Sequence, residues 1–124
     1  MLYVLADIAY WIVILLHLYF AVLEMALWKT KGPRVFGISQ DFANQSAALA
    51  SNQGLYNLFL VAALLIGFFA NDFGVNAWFM IYGLGCVIVA GIWGGVTVGR
   101  KIFFVQAVPA ILALGLRVLL PFSQ

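Results

Sequence analysis

Charge is what this chain has least of. Its 124 residues carry six Lys or Arg, four Asp or Glu and one His, 8% charged against 66% hydrophobic. Globular chains average about 25% charged residues, so a soluble domain of this length would lack the polar surface to cover its core. An integral membrane protein is expected instead. Cysteine is nearly missing: Cys86 alone excludes an intrachain disulfide and a thiolate metal cluster. A net charge of +2, thinly scattered, excludes nucleic acid as a partner. The positive segment that opens a signal peptide is absent too, since Met1 is followed by apolar residues and Asp7. The first apolar stretch is therefore expected to stay in the mature protein. No phosphate loop, nucleophile elbow, zinc-helix motif or pair of carboxylates occurs, and no cofactor is expected.

What the chain has in abundance is long apolar runs. A spanning helix needs about 20 apolar residues, and four segments qualify: residues 5–28, 54–70, 77–98 and 102–122. The expected fold is all-α, one four-helix transmembrane bundle over residues 1–124. Gly32-Pro33 is expected to end the first span, and Asn71-Asp72-Phe73-Gly74 to form a compact turn between the second and third. Between the first two spans, Ser39 suits an N-cap and Asp41 a first helical turn, with alanines following to Ser51. A short cytoplasmic helix is expected there, either separate or continuous with span two. Lys29, Lys31 and Arg34 fall in the first loop and Arg100 and Lys101 in the third. The positive-inside rule then places loops 29–53 and 99–101 in the cytoplasm and both termini outside, in a plasma membrane.

The polar residues inside these spans are the candidates for chemistry. His17 and Glu24 stand two helical turns apart in the first span, so they share a face, with Tyr10 and Trp28 extending the stripe. Ionisable groups within a bilayer usually face partners or a water-filled cavity. Gln53, Tyr56 and Asn57 lie at helical spacing on one face at the start of span two, and Gln106 lies one turn into span four. Together these residues predict a polar pocket open to the cytoplasm, with Glu24 as its charged anchor. The alternative is a hydrogen-bonded knot that only holds helices together, or Glu24 paired with Lys29 or Lys101. His17 alone reads as a packed histidine rather than a metal ligand.

Asp7 and Arg117 reach the same outer depth and are expected to form a structural ion pair. Gly91, Gly95 and Gly99 recur every four residues, a ridge for close helix packing inside the bundle or for a homodimer. Pro109 is expected to bend span four and free a carbonyl near Val105.

Several blocks carry a family resemblance. His17-Leu-Tyr-Phe20, Leu23-Glu24-Met25 with Trp28, Val35-Phe36-Gly37, the run from Ala50 to Asn57, Gly91-Ile, and Phe104-Val-Gln106 with Pro109 resemble the domain of unknown function 1304 family. The resemblance covers nearly the whole chain and implies a small four-helix bacterial membrane protein with the same polar set. It implies no activity.

Three readings follow. The first is binding or transport of a small molecule through the polar pocket, with a dimer providing alternating access. A carboxyl at that depth can exchange a proton, as a proton-coupled carrier requires. The second is a membrane enzyme acting on a lipid or other hydrophobic substrate, with Arg34, Arg100 or Lys101 holding a phosphate. The third is a structural or partner-binding subunit with no ligand.

Overall fold

A computed structural model describes residues 1–120 of the chain. Among these residues there is no strand, and the helices are α1 (Leu2–Ala26), α2 (Trp28–Phe36), α3 (Gln40–Phe69), α4 (Phe73–Thr97) and α5 (Arg100–Leu119). All but α2 are long and apolar enough to cross a membrane, which suggests a multi-pass membrane protein. The expected end of span four, Phe122, lies outside the described residues.

The helix ends differ from expectation in instructive ways. Gly32-Pro33 does not end a helix: α1 stops at Ala26, and Pro33 lies inside α2. Proline removes the amide that would bond the Lys29 carbonyl one turn back. Gln40 Nε2 donates to that carbonyl at 2.8 Å instead, so the helix continues with no orphaned acceptor. Gly37, with φ +65°, then closes α2 in the left-handed conformation glycine adopts without strain. Ser39 Oγ accepts from Phe42 N at 3.1 Å, but the helix it caps is α3 itself, continuous to Phe69. The alanine-rich stretch is thus continuous with span two, as one of the two expected alternatives had it, and a separate short helix, α2, precedes it. Trp28 begins α2 and so leaves the stripe begun by Tyr10, His17 and Glu24. Asp72 Oδ1 accepts from Val75 N at 2.9 Å and caps α4, which draws Phe73 and Gly74 into the helix. Arg100 and Lys101 likewise open α5 rather than stand in a loop.

The chain divides into two compact units: one of Met1–Leu16 with the chain from Ala62 onward, the other of His17–Val61. In the first, Tyr10 Oη donates to the Leu64 carbonyl at 2.7 Å, and its ring stacks on Phe68. Three close approaches follow from missing side chains. A Cβ on Gly67 would stand 2.8 Å from Met80 N, one on Gly83 2.8 Å from Leu64 Cδ2, and one on Gly91 2.5 Å from Ala107 N. Gly95 meets Phe103 in the same manner, whereas Gly99 follows α4 and has nothing within 4 Å of its Cβ position. The Gly91 and Gly95 faces are thus occupied by α5 of the same chain. Arg117 donates to the Asp7 carboxylate, and its guanidinium lies 5.8 Å from the centre of the Tyr10 ring. Within α5, Phe103–Ala107 widens to a π-helical turn in which Val108 N–H reaches back to the Phe103 carbonyl, just before Pro109. Widening of this kind lets a helix carry a proline without a full break.

Candidate functional site

The second unit holds most of the polar residues of interest. On α3 the residues turned inward recur every three or four positions: Ala43 (buried), Ser46 (half-buried), then Ala50, Gly54, Asn57 and Val61 (all buried). All but two are Ala, Ser or Gly, and small side chains along one stripe let helix backbones approach closely. The closest approach is at Gly54. A Cβ there would stand 2.5 Å from Met25 Cγ, 3.1 Å from the Ala21 carbonyl and 3.2 Å from Glu24 Cβ.

Asn57 follows Gly54 by three residues, on the same face. The approach made at Gly54 brings the two polar side chains within reach, and Asn57 Nδ2 donates to Glu24 Oε2 at 2.7 Å. Asn57 is 5% exposed, and Glu24 is half-buried. No other hydrogen bond and no ion pair engages Glu24 among the described residues of its unit; in particular, Lys29 does not neutralise it. A carboxylate has about four acceptor positions. One amide donor leaves it capable of accepting more, which suits a cation or a hydrogen-bond donor.

The remaining candidates are placed as follows. His17 is 1% exposed, with its ring edge-on to Phe20 at 5.8 Å. Gln53 and Tyr56 are exposed, although spacing puts them beside Asn57; Tyr56 lies against Phe59, ring centres 5.9 Å apart. Gln106 is half-buried and belongs to the first unit, in the π-helical turn. Of the expected polar set, then, Glu24 and Asn57 bond to each other directly.

Sequence reasoning missed the connections that tie α2 to α3. Trp28 Nε1 donates to Ser46 Oγ at 3.0 Å, and Ser46 Oγ donates onward to the Phe42 carbonyl at 2.6 Å. The Trp28 ring covers Gly32, whose Cβ position is 3.3 Å from it, and packs on Phe36. The small-residue stripe from Ala43 to Gly54 was the available signal for this packing. Lys29, Lys31 and Arg34 stay exposed on the outside of α2.

No significant match to a curated protein or to a solved structure was found. The family profile described as "Protein of unknown function (DUF1304)" matches residues 11–118, and with most of its length inside that match the chain belongs to this family.

Proposed function

We propose that this is a multi-pass membrane protein whose Glu24 carboxylate, oriented by Asn57, binds a small cationic molecule and supports its transport. The observation that carries this reading is the Asn57–Glu24 hydrogen bond of 2.7 Å, within helices apolar enough to span a bilayer. Ionisable groups at such depth are expensive to place there and usually serve a ligand, an ion or a proton. One amide donor orients the carboxylate without neutralising it, so the charge is left for a ligand. His17, on the same face of α1, and Gln53 and Tyr56 beside Asn57 are the neighbours proposed to line the approach. The basic residues of α2 and of the start of α5 support a cytoplasmic location for residues 29–53 and 99–101, with the termini on the other side of a plasma membrane.

The test uses tetraphenylphosphonium, a lipophilic monovalent cation, with the protein reconstituted in lipid nanodiscs. Binding above that of empty nanodiscs is expected, weakening as the pH is lowered and protons compete for the carboxylate, and lost in Glu24→Gln. Equal binding by wild type and Glu24→Gln, or none by either, would overturn the cation reading and leave Glu24–Asn57 a purely structural bond.

A further inference from the structure

A second feature belongs to the first unit. Where α4 meets the start of α5, Ile92, Gly95, Val96, Arg100, Phe103 and Phe104 enclose a cleft of about 330 Å³. It exists because Gly95 contributes no side chain and Phe103 leans in, its Cβ 2.8 Å from where a Gly95 Cβ would stand. The walls are apolar save for Arg100. Val96 is 78% exposed and Phe104 63% exposed, so the cleft opens outward.

The charge at this cleft is one-sided. Arg100 and Lys101 are adjacent, and neither forms an ion pair among the described residues. They open α5, at the end of an apolar helix, the depth at which lipid headgroups lie. Val96 and Ile92 recede from that end one helical turn at a time. A cation at the rim and an apolar cleft running inward match an amphiphile with an anionic head and a hydrocarbon tail. A guanidinium binds phosphate oxygens in a bidentate fork, and a basic residue near the surface also gains from the negative potential of anionic lipid.

We propose that this cleft is a binding site for an anionic phospholipid. Arg100, with Lys101 beside it, holds the phosphate, and one acyl chain lies along Val96, Ile92 and Phe104. The proposal rests on the reading of α4 and α5 as membrane spans but not on any role for Glu24. Extraction of cell membranes with alkaline carbonate checks that reading separately, since a protein released by it is not integral.

Native mass spectrometry of delipidated protein in detergent provides the test, with phosphatidylglycerol and phosphatidylcholine of identical acyl chains as probes. Wild type is expected to retain one phosphatidylglycerol with a preference of about fivefold over phosphatidylcholine, the scale of one basic residue at an anionic surface. Arg100→Gln should lose that preference, and Arg100→Lys should keep part of it. Val96→Trp, which fills the cleft from an exposed position, should lower retention of both lipids. Unchanged circular dichroism in each variant shows that folding is intact. Equal retention of the two lipids by wild type, or undiminished retention by Val96→Trp, would overturn the proposal. So would glycerol 3-phosphate binding as tightly as phosphatidylglycerol, since the site would then be one for free phosphate.

Discussion

Asn57 donates a hydrogen bond of 2.7 Å to Glu24 across 33 positions of sequence, and Gly54, one turn before Asn57, makes that approach possible. The pairing sets the carboxylate in one orientation. Removing either partner therefore has different consequences. Asn57→Ala leaves a half-buried acid without its donor and should destabilise by about 1 kcal/mol. Glu24→Gln keeps an acceptor for Asn57 and should change stability less, while abolishing cation binding. Thermal unfolding in detergent, compared with the nanodisc binding assay, separates the two effects.

Gly54 makes a prediction of its own. Its Cβ position is 2.5 Å from Met25 Cγ and 3.1 Å from the Ala21 carbonyl. Gly54→Ala should cost about 1–3 kcal/mol through overpacking. Met25 is 44% exposed, so Met25→Ala alone should do little. In the double variant, part of the Gly54→Ala loss should return, giving a nonzero coupling in a double-mutant cycle. Strict additivity would mean that Ala21 backbone, not Met25, sets the limit.

Two glycines of α4 offer a matched comparison. A Cβ on Gly91 would stand 2.5 Å from Ala107 N, while one on Gly85 meets nothing within 4 Å. Gly91→Ala should destabilise by about 1–3 kcal/mol, because backbone on α5 must move. Gly85→Ala should be neutral or stabilise by up to about 1 kcal/mol, the helix-propensity difference. Unfolding temperatures of the two single variants are enough to decide.

The Asp7–Arg117 bridge joins α1 to α5 with side chains 47% and 24% exposed, respectively. Asp7→Asn keeps an acceptor for Arg117 while removing the ion pair, and should cost about 1 kcal/mol. Asp7→Arg should be worse, as it sets two guanidiniums together. Combining it with Arg117→Asp should recover most of the loss in a thermal unfolding series. Failure of the swap to rescue would point to the Arg117–Tyr10 stacking as the larger contribution.

Much of this protein is legible in its composition. Four apolar runs long enough to cross a membrane read as four long helices, since a segment that enters hydrocarbon must bond its amides within itself. Local chemistry also reads in part: Ser39, a short polar side chain expected to cap a helix, does so, whereas Asp72, expected in a turn, proves to be a cap as well. Proline was the less reliable signal. Pro33 is tolerated because a distant glutamine satisfies the carbonyl it frees, and Gln40 is brought there only by the fold.

The sequence by itself determined the four long apolar helices and which residues were chemically able to form a site. Tertiary structure alone decided which of them meet. Gln53 and Asn57 are about 40° apart around one helix, yet Gln53 is exposed and Asn57 buried against Glu24. Spacing orders side chains around a helix but does not say which sector a neighbour will cover. That choice was made by where backbones can approach, at the small residues from Ala43 to Gly54, whose short or missing side chains leave room for a neighbour without naming it.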